Sequence, residues 1–100
     1  MNINNINLVK TEFGEIITSK LYNCINNIHN GTLVELGVDS GASTRLLESS
    51  LDINNNIAFG IDPIPNYISN HPSYSYMQDD SVKAGKNWKN NPPNLVFFDT

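Results

Sequence analysis

Apolar residues in the first third of the chain recur at three- and four-residue steps, the spacing that lines one face of a helix. The repeat is formed by Phe13, Ile16, Ile17, Leu21, Cys24, Ile25 and Ile28. Thr11 is a suitable N-cap, and the pair Asn30 and Gly31 is a typical left-handed stop. The pattern therefore predicts an amphipathic helix over residues 11–30, with Cys24 buried on its apolar face.

The rest of the chain alternates short apolar runs with helix-like segments. Strands are predicted at residues 32–37, 56–62, 73–77 and 94–100, helices at residues 43–51 and 80–90, and a proline-containing loop at residues 63–73. Alternation of this kind is typical of α/β proteins, in which crossovers are right-handed and the sheet is mostly parallel. The order predicts a doubly wound, mostly parallel sheet of about four strands.

The predicted strand at residues 94–100 is the most apolar segment of the chain. Continuous apolarity is typical of a strand covered on both faces, and an uncovered edge strand offers a template for pairing with other chains. We therefore expect residues 1–100 to be the N-terminal half of a single larger domain, with residues 1–10 as a leader or short strand. The alternative is that a partner, such as a second copy, completes the sheet through residues 94–100.

Composition excludes several classes of protein. The 100 residues have a formal net charge of −4 at pH 7, which argues against a surface for nucleic acid or anionic membranes. No apolar run approaches the roughly 20 residues of a membrane span, and the N-terminus lacks the pattern of a secretory signal. Cys24 alone cannot form an internal disulfide, so a reducing compartment, the cytoplasm, is expected.

Asparagine is unusually frequent, with 17 in the chain, many of them beside isoleucine. Such a composition can mark a prion-like polar tract. Apolar residues interrupt every asparagine cluster here, so we interpret the richness as a compositional bias that carries no information about activity.

The candidate chemistry lies between the first predicted strand and the helix that follows it. There the sequence reads VELGVDSGAST, so a strand that contains Glu35 enters a loop with Gly37 and Gly41. Glycines allow a ligand to approach the backbone closely. The helix that opens at Ser43 and Thr44 offers N–H groups to a negatively charged group.

Asp62 closes the second predicted strand. Ligands of parallel α/β sheets bind beyond the carboxyl ends of the strands, so we expect Asp62 to lie beside the glycine loop. A carboxylate at that point can accept hydrogen bonds from both hydroxyls of a ribose. Together, the loop and Asp62 predict a site for a nucleoside-containing cofactor.

The choice of cofactor follows from the charges and the glycine spacing. The motif G-x-x-x-x-G-K-[ST] is absent, and the spacing G-x-x-x-G differs from the dinucleotide motif G-x-G-x-x-G. Glu35 and Asp39 make the loop acidic and Arg45 is its one basic neighbour, which suits a pyrophosphate poorly. S-adenosylmethionine fits better, because its ammonium and sulfonium groups are cationic. NAD remains the alternative, because dinucleotide-binding proteins share the strand-loop-helix unit and the distal acid.

Four segments resemble motifs one to four of the class I S-adenosylmethionine-dependent methyltransferases in order and spacing: VELGVDSGAST, GIDP, YMQDDSV and NLVFFDT. The resemblance covers residues 12–100 and is greatest to a group of small O-methyltransferase-like proteins whose first motif reads like V-E-(I/L/V)-G-x-x-x-G-x-S-T. It implies a Rossmann-like sheet of seven strands, of which this chain would contain four. It also implies transfer of a methyl group, and a hydroxyl of a small molecule or sugar is the expected acceptor.

The resemblance implies a role for each matching residue. The methionine end of the cofactor would be held by Glu35, Gly37, Gly41, Ser43 and Thr44. Asp62 would bind the ribose, and Asp80 would accept the adenine amino group while the amide of Ser81 or Val82 donates to the ring. Asp79 stands where the family commonly has glycine, which departs from the pattern at the adenine contact.

Asp99, near the end of the fourth predicted strand, matches an acid with two roles in this family. In metal-dependent relatives that acid is a Mg²⁺ ligand, and in others an acid near this position orients the acceptor. The expected function is therefore a methyltransferase with Asp99 as its catalytic acid. The alternatives are an NAD-dependent oxidoreductase and a non-enzymatic partial Rossmann fold that acts as an interaction module.

Overall fold

The computed structural model describes residues 15–38, 41–65 and 67–98. The helices in this part of the chain are α1 (Glu15–Asn26), α2 (Ala42–Leu51) and α3 (Ser81–Lys86), and the strands are β1 (Thr32–Leu36), β2 (Ile57–Ile61), β3 (Tyr74–Met77) and β4 (Leu95–Phe98). Every predicted helix and strand is present, with ends that differ by a few residues. The segment 1–10 and the start of the predicted first helix lie outside the described residues.

The described strands form one sheet in the order β3-β2-β1-β4, and each pairing is parallel. Glu35 in the inner strand β1 pairs with Gly60 on one side and with Phe97 on the other. The predicted α/β class with a parallel sheet is therefore confirmed, and the arrangement is consistent with part of a Rossmann-like fold. Because parallel strands all end at the same edge, the segments that follow β1, β2 and β3 begin close together.

Each face of the sheet carries an apolar core, because successive strand residues point to opposite faces. The core on the face covered by α1 and α2 consists of Leu21, Ile25, Leu33, Ala42, Leu46, Leu47, Leu51, Ala58 and Tyr74. The core on the other face consists of Val34, Phe59, Ile61 and Ala84, the last of these from α3. Trp88 packs edge-on against Phe59 there, with 5.1 Å between the ring centroids. Layers of helix, sheet and helix thus position the strand ends.

β4 has one covered face and one exposed face, which differs from the predicted cover on both sides. Leu95 and Phe97 are half-buried and pack against the core under α1 and α2. Val96 and Phe98 point to the opposite face, where their side chains are 42% and 67% exposed. α3 packs through Ala84 against β1 and β2, and within the described residues it leaves this part of β4 uncovered.

Cys24 is exposed, so the prediction that it is buried is wrong. The buried arc of α1 includes Leu21 and Ile25, and Tyr22 is half-buried against the same core. Each residue turns a helix by about 100°, so an arc that extends from Leu21 toward Tyr22 leaves Cys24 outside it. Leu21, Ile25 and Ile28 of the predicted stripe do pack against the core, but the centre of the buried face is rotated away from the cysteine.

Two of the described helices, α1 and α3, are shorter than predicted at their C-terminal ends. α1 ends at Asn26 and α3 at Lys86, whereas the sequence predicted ends near residues 30 and 90. In α3, Gly85 lowers the helix stability by about 1 kcal/mol relative to alanine, which favours an early end. None of the described helices has the length and apolar character that a bilayer crossing requires.

Candidate functional site

The loop between β1 and α2 makes a turn that depends on two glycines in the left-handed region. Gly37 has a φ of 87° and Gly41 a φ of 84°, values that side-chain-bearing residues rarely adopt. The amide of Gly37 donates to the Ile61 carbonyl at 2.8 Å, and that of Gly41 to the Val38 carbonyl at 2.9 Å. Gly41 is also the N-cap of α2 and supplies no side-chain cap. The first backbone N–H groups of α2 therefore lie at this turn without a side-chain acceptor from the N-cap residue.

Asp62 lies directly against the same turn. Its Oδ2 accepts a hydrogen bond from the Val38 amide at 2.8 Å, and its Oδ1 accepts one from the Ile64 amide at 2.8 Å. The Tyr76 hydroxyl donates to the Asp62 carbonyl at 2.6 Å. The structure therefore brings together the glycine turn and the acid that closes β2, as the rule on parallel strand ends predicted.

Glu35, Ser43 and Thr44 form a second group, which lies beneath the turn rather than at its surface. All three are 0% exposed. The Ser43 hydroxyl donates to Glu35 Oε2 at 3.0 Å, and the Thr44 hydroxyl donates to Glu35 Oε1. Their side chains thus bind one another and fix the start of α2 on β1, and α2 can meet a ligand at this point through its backbone.

Tyr74 completes the surroundings of the Glu35 carboxylate. Its hydroxyl donates to Glu35 Oε1 at 2.9 Å, although β2 lies between the strands that carry the two residues. The tyrosine reaches across β2 at Gly60, where a Cβ would overlap the Tyr74 hydroxyl. Burial raises the pKa of Tyr74, and the charge and hydrogen bond of Glu35 raise it further. Sequence reasoning missed this contact, for which the glycine within β2 was the available signal.

Tyr67, from the connection between β2 and β3, packs over the first turns of α2. Its ring lies so close to Gly41 that a Cβ there would overlap it. The Arg45 guanidinium lies 4.0 Å from the ring centroid, and the Tyr67 hydroxyl donates to Glu48 Oε1 at 3.1 Å. Burial and the nearby Glu48 carboxylate raise the pKa of Tyr67. Gly41 is therefore required for space as well as for its backbone angle.

Asp80 and Ser81 follow β3, whose end lies beside the end of β2 through the pair Ile61 and Met77. The Asp80 carboxylate caps α3 by accepting from the Lys83 amide at 2.8 Å. Ser81 lines an apolar cavity of about 280 Å³ on the α3 face of the sheet, with Val34, Leu36, Ile61, Gly85, Trp88, Pro93 and Val96. The structure thus places Asp80 on the same sheet edge as Asp62, with its side chain engaged as a helix cap.

Asp99 lies outside the described residues, so its predicted roles as catalytic acid and Mg²⁺ ligand remain predictions. Asp39, in the glycine loop, lies outside them as well. Among the described residues, no cluster of three or more His, Cys, Asp or Glu side chains has the arrangement of a metal site.

Comparison with the models of known protein families finds none that matches this chain, and comparison with curated proteins finds no significant match.

Replacing Tyr74 with phenylalanine removes one of the hydroxyls that bind the buried Glu35 carboxylate. Hydrogen bonds to charged groups contribute about 1.5–3 kcal/mol, so Tyr74→Phe should lower the free energy of unfolding by about that amount. Tyr76→Phe is the matched control, because its hydroxyl lies two residues along the same strand and binds a neutral carbonyl. Urea denaturation should show the larger loss for Tyr74→Phe, and equal losses would contradict a special contribution from Glu35.

Stability should also fall at alkaline pH because of Tyr74. Its pKa is raised in the folded protein above the ordinary 10.0, so the unfolded chain loses this proton first and rising pH favours unfolding. The contribution of Tyr74 is complete below about pH 10 and declines as the pH rises above it. Urea denaturation from about pH 8 to pH 11 should give a shallower decline for Tyr74→Phe than for the wild type. If the stability of both proteins falls in parallel with pH, the pKa of Tyr74 is the same in the folded and unfolded states, which would contradict this prediction.

Proposed function

We propose that this protein is a cytoplasmic methyltransferase that binds S-adenosylmethionine at the glycine turn and transfers its methyl group to a hydroxyl of a small molecule or sugar. The observation that supports the proposal most is the hydrogen bond between Asp62 and the Val38 amide. It joins an acid at the end of β2 to the turn that opens α2. This combination suits a ligand that carries both a ribose and a small carboxylate.

The residues of the turn fit such a ligand. Gly37 and Gly41 add no side chains of their own to the turn, and the start of α2 supplies N–H groups for a carboxylate. Asp62 is half-buried, and because each carboxylate oxygen can accept more than one hydrogen bond, its contacts with backbone amides are compatible with binding ribose hydroxyls. Asp80 and the amide of Ser81 are the proposed contacts for adenine.

The buried group beneath the turn has a different role in this proposal. Glu35, Ser43 and Thr44 have no exposed surface, so they act as positioning residues that hold the N-terminus of α2 against β1. When bound, the cofactor would supply an electrophilic methyl group for transfer to the acceptor oxygen. Asp99 is the proposed base for the proton of the acceptor hydroxyl, or the proposed ligand of a Mg²⁺ ion that lowers the pKa of that hydroxyl.

Asp62→Asn should weaken binding of S-adenosylhomocysteine, the product form of the cofactor, while preserving the shape of the side chain. Loss of a charge-assisted hydrogen bond to ribose corresponds to about a 10- to 100-fold rise in the dissociation constant. Isothermal titration calorimetry measures the change. Asp52→Asn is the matched control, because it removes an equal charge from an exposed aspartate just after the C-terminus of α2, and it should leave binding unchanged.

Two outcomes of this experiment would contradict the proposal. One is that the wild-type protein gives no heat with S-adenosylhomocysteine, and the other is that Asp62→Asn binds it as tightly as the wild type. A rise in melting temperature with NADH but not with S-adenosylhomocysteine would support the oxidoreductase alternative instead.

The exposed face of β4 favours a second candidate function, an interaction module that pairs through residues 94–100. Val96 and Phe98 are exposed large apolar side chains, and Val96 lines the cavity together with Trp88 and Pro93. β4 pairs with β1 along one side, and within the described sheet its other side is an edge. Edge strands with apolar side chains are templates for pairing, and a second copy of this chain is the proposed partner.

Phe98→Lys should therefore reduce self-association, because a charge on the edge strand opposes both apolar contact and strand pairing. Size-exclusion chromatography with light scattering over a range of concentrations measures the molar mass. Ile64→Lys is the control, since Ile64 is 81% exposed in the loop after β2. A wild-type protein that stays monomeric throughout, or equal effects of both substitutions, would contradict the pairing through β4.

A further inference from the structure

The segment that leads into β1 contains an Asn-Gly dipeptide whose two residues have different surroundings. Asn30 is exposed and has a φ of 53°, whereas Gly31 is buried. The Gly31 amide donates to Oδ1 of Asn56 at 2.9 Å, and the Gly31 carbonyl accepts from the Ile57 amide at 2.9 Å. A Cβ on residue 31 would overlap the side chain of Ile28. Close packing thus requires glycine here, and both backbone polar groups of this glycine are bound.

An asparagine that precedes glycine is prone to lose its side-chain amide, because glycine has no Cβ to obstruct attack by its backbone nitrogen. In that reaction the Gly31 nitrogen bonds to Cγ of Asn30, the Cγ–Nδ2 bond breaks, and ammonia leaves with the proton of the Gly31 amide. Water then opens the succinimide at either carbonyl and gives aspartate or isoaspartate. The sum is hydrolysis of one amide and requires water alone as co-reactant.

We propose that Asn30 is a site of spontaneous deamidation and that Asn56 suppresses the reaction in the folded protein. Residues 28–31 and 54–57, which these hydrogen bonds join, are called the corner below. The attacking nitrogen must give up its proton, and in the structure that proton is bound to Oδ1 of Asn56. Attack therefore requires a local opening that separates Gly31 from Asn56. The inference is independent of the proposed methyltransferase function.

The side chain of Asn56 is itself fixed in position by burial and by hydrogen bonds. It is 1% exposed, and its Nδ2 donates to the Ile28 carbonyl at 2.9 Å and to the Ser50 hydroxyl at 3.3 Å. The side chain of Asn30 is also engaged, because its Oδ1 accepts from Nδ2 of Asn55 at 2.7 Å. Several hydrogen bonds must break together before the reaction can begin.

The reaction would be irreversible in its effect on the fold. Isoaspartate adds one carbon to the main chain between residues 30 and 31, so Gly31 could not keep its bonds to Asn56 and Ile57 at their present lengths. Those bonds join the start of β1 to the start of β2, so the product should open this corner more readily than the original chain. Deamidation at Asn30 would thus record how long, and how often, the corner has been open.

Peptide mass spectrometry after incubation at mildly alkaline pH tests the proposal. Cleavage after lysine and arginine places Asn30 in a peptide of residues 21–45, which also contains Asn23, Asn26 and Asn27 as internal controls. In the folded wild type, Asn30 should deamidate at least about tenfold more slowly than in denaturing urea. In urea, Asn30 should react faster than the three control asparagines. Equal rates for Asn30 in the folded and unfolded chains would overturn the proposal.

Variants of the hydrogen-bonded corner identify Asn56 as the protecting group. Asn56→Ala removes the acceptor for Gly31 and should speed deamidation of the folded protein about tenfold, as expected from the loss of a buried hydrogen bond. Ser50→Ala weakens the same network but keeps that acceptor, so it should have a smaller effect. If Asn56→Ala does not fold, Asn56→Ser, which keeps an uncharged oxygen on a shorter side chain, should deamidate faster than the wild type. A rate for Asn56→Ala no higher than for Ser50→Ala, or a rate for folded Asn56→Ser no higher than for the wild type, would contradict the role of Asn56.

Discussion

The buried carboxylate of Glu35 is the feature on which the other contacts around the strand ends depend. An ionised carboxylate is too costly to bury without partners, so donors must surround it. Ser43 and Thr44 supply two hydroxyls from the first turn of α2, and Tyr74 supplies a third from β3. A single residue of β1 therefore determines where α2 begins, and it restricts residue 60 to glycine so that Tyr74 can reach across β2.

Two acids near the carboxyl ends of neighbouring strands differ in their exposure, and this difference separates their roles. Glu35 is fully buried and bound by hydroxyls, whereas Asp62 is half-buried and bound by the backbone amides of Val38 and Ile64. The first can fix the backbone under a ligand, and the second remains at the surface where a ligand would lie. The resemblance to methyltransferases predicts that both acids belong to one binding site, whereas in the structure the Glu35 carboxylate is enclosed by hydroxyls and Asp62 is partly exposed.

The strands and the glycine turn could be predicted from the sequence because each depends on a local pattern. Apolar runs that end in glycine or proline mark β1 and β2, and the rule on parallel strand ends brings Asp62 to the turn. The burial of Cys24 could not be predicted in the same way. Helical periodicity places an apolar face to within about one residue of rotation, and the packing of Tyr22 against the sheet decides which side of that face is covered.

Contacts between distant residues escaped prediction for a related reason. Whether Tyr74 can meet Glu35 depends on the strand order β3-β2-β1 and on a glycine in the strand between them, neither of which a local pattern contains. Asn56 is a similar case. Because it lies in a cluster of asparagines, the sequence indicated only a compositional bias, whereas in the structure its side chain binds the backbone of Gly31 and Ile28 at the start of the sheet. A glycine inside a buried strand is therefore informative, because the space it leaves must be filled by a side chain from another strand or helix.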